Sequence, residues 1–210
     1  DHMPPYTFIE TYDIFRVIIS IVNQTLKECG ALFPKEITME YTQLIKERYS
    51  VRKFSSEPVS EATLLSILEA ARLAPTAVNN QPQRILVLRD AAGMKKLKAC
   101  TPFTFDAPLA LAVCYNKDEA WLRPYDSDNS GRIDATIVGT HIMLAVHDLG
   151  LGSTWVGHFD PAVFRREFNL PDRIEPVAIL PIGHPAPDAK PTNKHLQRRP
   201  LAETVVYDSF

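Results

Sequence analysis

Hydrophobic positions along this chain follow two periods, and the periods succeed one another in an irregular order. Leu64, Leu65, Ile67, Leu68 and Leu73 keep helical spacing behind Pro58-Val59-Ser60-Glu61, where Ser60 is placed to cap the helix and Glu61 sits in its first turn. Pro75 ends that helix. Residues 38–48 and 91–99 predict two shorter helices. Residues 84–89 (RILVLR) and 109–115 (LALAVCY) predict strands, the second apolar on both faces. Residues 132–149 predict a long helix that is apolar almost all round, through Ile133, Ile137, Val138, Ile142, Met143, Leu144, Val146 and Leu149. Such a helix has to be covered on several sides, and a dimer interface would do it. Gly150 and Gly152 end it. A short segment, 153–159, leads to a helix at 161–168; residues 174–183 predict a third strand and 205–207 a fourth. Helices around a small sheet, without regular βαβ alternation, place the chain in the α+β class.

Composition narrows the class. The chain has 210 residues, enough for one full core; 45% are hydrophobic, 23% charged, and the net charge is -2. That balance gives no reason to expect a nucleic-acid or membrane partner. Cys29, Cys100 and Cys114 are odd in number and form no CxxC pair, which argues against a disulfide framework or a zinc site and for a reducing, cytoplasmic setting. Seventeen prolines stand against eight glycines, and they crowd between Pro171 and Pro200, which predicts an extended arm after the last core strand. At the other end, Asp1-His2-Met3 reads as a cloning remnant. Residues 11–29 predict an amphipathic helix packed on the body or on a second subunit. Its apolar run, 17–22, is interrupted by Ser20 and far too short to span a bilayer. The expected division is a 1–38 extension and a 39–210 domain.

Several chemical motifs fail on spacing. Residues 126–137 mimic a calcium loop, but Ile137 stands where the bidentate Glu belongs. Gly150, Gly152 and Gly157 do not make GxGxxG, and no strand precedes them. His141 and His147, six apart, leave different faces of a helix. Cys114 lies mid-strand with no base nearby in sequence.

Four pieces remain. Arg48-Tyr49-Ser50-Val51-Arg52 sets two guanidiniums and a hydroxyl at alternate positions, so an extended backbone presents them on one face, suited to a phosphate and an electron-rich ring edge. Residues 74–82 (APTAVNNQP) form a polar turn whose hydroxyl and amides match a ring edge of alternating C=O and N–H. Residues 149–159 (LGLGSTWVGHF) offer glycines for close backbone approach and Trp155 as an apolar face. Gln197-Arg198-Arg199-Pro200-Leu201 adds a late basic point. Phosphate donors, amides and an apolar slot together describe a site for flavin mononucleotide, FMN.

From about Met39 onward the chain resembles the FMN-dependent nitroreductase family. The resemblance is carried in order by RxSxR, APTAVNNQP, RPYDSDNSGRIDATI, LGLGSTWVGHFD, PVAILPIGHPA and RRPLAETV. It implies a mostly antiparallel sheet flanked by helices, an intertwined homodimer with an exchanged C-terminal arm, and FMN at the subunit interface. NADH or NADPH is the implied co-substrate in ping-pong reduction of nitroaromatics, quinones or similar small acceptors. Carried over by residue, Arg48, Ser50 and Arg198 are implied at the phosphate, with Tyr49 and Ala77 in their motifs. Arg52 is implied at the flavin N1/O2 edge, and Pro75, Thr76 and Asn79 reach across from the other subunit. Trp155, Val156 and Gly157 line the ring. Gln83 departs from the pattern, since Trp is usual after the Gln-Pro pair. The family's long helical insertion has no room here, which implies an open-pocket subgroup.

The flavin carries the chemistry in such enzymes, so no indispensable side-chain acid or base is expected. His158 is the candidate for tuning or acceptor contact, set against a partly buried structural role. Specialised relatives of the same fold, in reductive dehalogenation or flavin fragmentation, stay open, as does a flavin-binding protein without turnover or a dimeric scaffold.

Overall fold

The computed structural model describes residues 39–210. The expected helix at 11–29 and the expected boundary at 38 lie outside the described residues. Helix α1 (Tyr41–Glu47) is followed by an extended strap, then α2 (Glu61–Arg72), β1 (Gln83–Leu88) and α3 (Ala91–Cys100). Next come β2 (Leu109–Asn116), α4 (Gly131–Asp148), β3 (Gly152–Ser153), α5 (Pro161–Phe168) and β4 (Ile174–Gly183). A 3-10 turn at Asn193–Leu196 and the short α6 (Leu201–Thr204) complete the order.

The four strands make one antiparallel sheet in the order β1-β2-β4-β3. Strand β2 is buried on both faces, and its period-2 alternation splits the core. Leu109, Leu111 and Val113 pack with Leu180 and Ile182 against α2 and α4. Ala110, Ala112 and Cys114 pack with Ile179 against Leu97 of α3 and Phe164 of α5. Burial pushes the Cys114 thiol up to about 12, so it is protonated at neutral pH and inert as a nucleophile.

Two prolines inside β4 sit where the ladder spares them. Pro176 lies at the bulge where register shifts between Val113 and Cys114. Pro181 is two residues from Ile179, which exchanges both hydrogen bonds with Val156 on the β3 side (2.9 and 3.0 Å). Its ring nitrogen therefore faces the same side, away from the β2 ladder.

Local capping follows the sequence closely. The Ser60 hydroxyl accepts from the Thr63 N–H at 3.1 Å, Asp90 accepts from Gly93 at 2.6 Å, and Asp160 accepts from Ala162 and Val163. At the end of α4 the Leu151 N–H reaches the Val146 carbonyl (2.9 Å) and the Gly150 N–H reaches that of His147 (3.0 Å). This is a Schellman closure, and it places Gly150 at φ +73°.

Two expectations are corrected. Residues 205–207 do not form a strand. Val205, Val206 and Tyr207 are exposed after α6, because no sheet edge of their own protomer runs beside them. The fourth strand is instead Gly152–Ser153, whose glycine hid it from a propensity reading. Leu65 and Leu73 keep helical spacing yet remain exposed, as does Ile133 on α4.

Candidate functional site

The strap after α1 is built by threading between two edges. Ser50 bridges Ser153, the Val51 N–H donates to the Ser153 carbonyl at 3.0 Å, and Phe54 bridges Pro185 just beyond β4. Val51 is buried, so the residues on either side turn outward. Arg48, Tyr49, Ser50 and Arg52 consequently share the wall of one cavity of about 220 Å³. Its opposite wall is the arm: Pro191, Thr192, Lys194, His195 and Arg198. Among the described residues, four permanent cations and no carboxylate line this space. Burial, and then the charge of Arg198, pull the Arg48 guanidinium below its ordinary value. The like charges are thus uncompensated from within the cavity, a composition suited to a phosphate.

A second cavity, of about 190 Å³, opens on the far side of Arg52. Thr154, Trp155, Val156, Gly157 and His158 line it together with Phe103 and Phe105. The Trp155 ring lies on α4 so closely that a Cβ on Gly139 would stand 2.6 Å from it; glycine is required there by the approach of the indole. The Phe103 and His158 rings meet edge to face at 5.3 Å, and the Thr101 hydroxyl donates to the His158 carbonyl at 2.6 Å. His158 is exposed at the mouth, which corrects the reading of it as a partly buried structural residue.

Arg52 lines both cavities and donates to its own strap, at the Ser50 carbonyl, at 3.2 Å. The basic and aromatic spaces are therefore adjacent, joined through one guanidinium. The chemistry of the pair fits FMN: a cationic pocket for the phosphate and an aromatic-lined one for the ring.

Pro75, Thr76, Ala77 and Asn79 line neither cavity of their own protomer. Their turn is held by buried Asp134, which accepts from the Ala77 N–H at 2.9 Å and from the Ser130 hydroxyl at 2.8 Å. The Gln81 N–H donates to the Thr76 hydroxyl. Val78, Asn79 and Gln81 all have positive φ (44°, 59° and 50°). A β-branched, exposed residue in that region is an outlier, and such strain concentrates where a backbone is shaped for a ligand. Behind the turn, the Gln83 side-chain carbonyl is buried without a hydrogen-bond partner.

Sequence reading missed Lys194, His195, Thr192, Phe103 and Phe105. A basic pair three and four residues before Arg198 was a visible signal for the first two. Phe103-x-Phe105, an aromatic pair in a polar loop just before a strand, was a signal for the last two.

The chain matches the sequence profile described as the Nitroreductase family over residues 45–101 and 96–184. A protein of Methanothermobacter thermautotrophicus named as an NADH dehydrogenase/NAD(P)H nitroreductase is 32% identical over 171 residues, covering 78% of this chain and 87% of the relative. A crystal structure of a nitroreductase family protein from Clostridium difficile is 40% identical with a TM-score of 0.78, covering 82% of this chain and 100% of that one. A nitroreductase of Desulfovibrio desulfuricans, solved in complex with FMN, is 30% identical with a TM-score of 0.69, covering 82% and 99%.

Proposed function

The chain belongs to the nitroreductase family, and on that premise we propose that it is an NAD(P)H-dependent FMN oxidoreductase that reduces small planar acceptors, nitroaromatics or quinones, by ping-pong hydride transfer. The observation that carries this is the adjacency, through Arg52, of a cationic cavity and an aromatic one. Relatives named as NAD(P)H nitroreductase and FMN reductase, and structures solved with FMN, support it.

FMN, when bound, would supply the redox chemistry, hydride transfer between nicotinamide and acceptor. The chain's own residues position it. Arg48, Ser50 and Arg198 hold the phosphate, with Lys194 on the arm side. Arg52 places a fixed positive charge between the phosphate and the ring, where it stabilises negative charge on the N1/O2 edge. Trp155, Val156 and Gly157, with Phe103 and Phe105, line the cavity that would receive the ring. Among the described residues lining the ring cavity, none is acidic.

A homodimer completes the site. The turn carrying Pro75, Thr76, Ala77 and Asn79 is rigidly held, strained and unused in its own protomer. The exposed Leu65, Leu73 and Ile133 offer an apolar face for a second copy. The arm beyond Lys190 is almost wholly exposed, as a segment meant to embrace a partner would be. We read residues 39–210 as the catalytic domain and 1–38 as an extension to it. No helix among the described residues is long and apolar enough to cross a membrane.

Purified protein reconstituted with FMN should show a flavin spectrum that bleaches anaerobically with NADH or NADPH and recovers when a quinone or nitroaromatic is added. A spectrum that neither nucleotide bleaches would end the enzyme reading and leave a flavin-binding protein. No flavin uptake at all would leave a scaffold.

A further inference from the structure

Phe105 lines two cavities: the ring cavity, and a further one of about 290 Å³ formed with Lys98, Thr101, Pro102, Thr104 and Asp106. The second lies between the end of α3 and the start of β2 and has no part in the flavin reading. Its loop is fixed along its length. The Thr101 hydroxyl accepts from the Phe103 N–H at 3.2 Å and donates to the His158 carbonyl at 2.6 Å. The Ala107 N–H donates to the Thr104 carbonyl at 3.1 Å, and the Asp160 N–H to the Cys100 carbonyl at 2.9 Å. Phe105 and Asp106 both have positive φ (52° and 50°), an uncommon conformation for two successive residues that are not glycine. Such backbone persists only where its surroundings hold it, and it concentrates at ligand sites.

Among the described residues, the lining of this cavity carries one cation and one anion. Lys98, in the last turn of α3, meets Asp106 at 2.7 Å, with the two side chains 56% and 85% exposed. So exposed a pair is worth little, and Lys98 can exchange Asp106 for another anion at small cost. Lys95, three residues earlier, is exposed on the same face of α3 and adds a second positive charge nearby.

A nicotinamide dinucleotide is far larger than the ring cavity of about 190 Å³. Only its nicotinamide can enter to meet the flavin; the ribose, diphosphate and adenine have to lie outside. A neighbouring cavity joined through Arg52 is the cationic one assigned to the FMN phosphate. The cavity joined through Phe105 offers a cation for a diphosphate and an aromatic ring for a base.

We propose that the cavity of Lys98, Phe105 and Asp106 is the subsite for the adenosine diphosphate end of the nicotinamide donor, with Lys98 contacting the diphosphate and Asp106 opposing it. The proposal rests on the flavin reading above and deepens it by placing the part of the donor that carries no hydride.

The test follows anaerobic bleaching of the FMN-loaded protein by NADH and by dihydronicotinamide riboside, which carries the same hydride and lacks the adenosine diphosphate end. Lys98→Ala should raise the NADH concentration needed for half-maximal bleaching rate by about fivefold, the upper range for an exposed ion pair. Asp106→Asn should lower it by about twofold, since a competing carboxylate is removed. Lys98→Arg keeps the cation and should behave as the wild type. With the riboside all four proteins should agree. Calorimetric titration with ADP-ribose reads the subsite without flavin reduction, and its binding should weaken in Lys98→Ala and tighten in Asp106→Asn. Lys98→Ala and Asp106→Asn break the same ion pair, so a merely structural role would move both in one direction and with either donor. That outcome would overturn the proposal, as would an unchanged NADH dependence in Lys98→Ala; in both cases bleaching by the riboside would leave the flavin reading intact. A bound flavin that neither donor bleaches would overturn both.

Discussion

The side chain of Val51 lies against the backbone of Gly152, with Cγ2 placed so that a Cβ on the glycine would come within 2.5 Å of it. That contact seats the basic strap on the sheet edge, beside the Val51-to-Ser153 hydrogen bond. Neither backbone can move away, since Gly152 pairs with Gly183 on its other side. Gly152→Ala should therefore destabilise the fold by about 1–3 kcal/mol, the usual range for overpacking. It should also weaken FMN binding, because Arg48, Ser50 and Arg52 ride on the displaced strap. Urea denaturation and flavin titration check the two effects separately. Unchanged affinity in a destabilised variant would detach the strap's position from the cofactor site.

Arg48 and Arg198 approach the same cavity from body and arm. Each single Ala substitution should weaken FMN binding by about tenfold or more, the scale of a charged hydrogen bond. The double variant should purify colourless. Riboflavin, which lacks the phosphate, should bind the wild type and both variants alike. Full flavin occupancy in the double variant would refute the phosphate assignment.

Gln83 opens β1 with a buried carbonyl that finds no donor among the described residues. Replacing it by the similarly sized Met removes that unmet group, and the substitution should raise stability by about 1 kcal/mol. Chemical denaturation gives the sign. Lower stability in Gln83→Met would show that a donor from a second subunit reaches this carbonyl.

His147 lies near the end of α4 with its Nε2 buried and without a hydrogen-bond partner among the described residues. Burial, and then the Arg48 charge, lower its proton affinity from the ordinary 6.5, against smaller opposing effects of Glu47 and Asp148. The folded state thus keeps it neutral where the unfolded chain takes a proton. Its contribution to stability is complete above about pH 6.5 and is lost as pH falls from there toward the lower folded value. The wild-type Tm should drop more between pH 7.5 and 5.5 than that of His147→Gln. Equal drops would remove His147 as a source of acid sensitivity.

Much of this protein was legible locally. Ser60 and Gly150 mark helix ends because capping is decided by a few neighbouring backbone groups and one side chain. The doubly buried β2 was readable from an unbroken apolar run. The alternation of Arg48, Ser50 and Arg52 was readable because strand geometry is fixed at two residues per repeat. The strand at 152–153 was not, since two residues including a glycine carry no propensity and exist as a strand only because β4 lies alongside.

What the sequence by itself determined, then, is the set of elements and the chemistry of the pieces: cations, amides, glycines and an indole in a given order. Only the tertiary structure decided that Arg52 lines two cavities, that Phe103 meets His158 beside Trp155, and that His195 meets Tyr49 beside Arg48. Those neighbours are separated by up to about a hundred and fifty residues along the chain. Their meeting depends on sheet order and loop closure, which are properties of the whole packed core and are not encoded in any short window of residues.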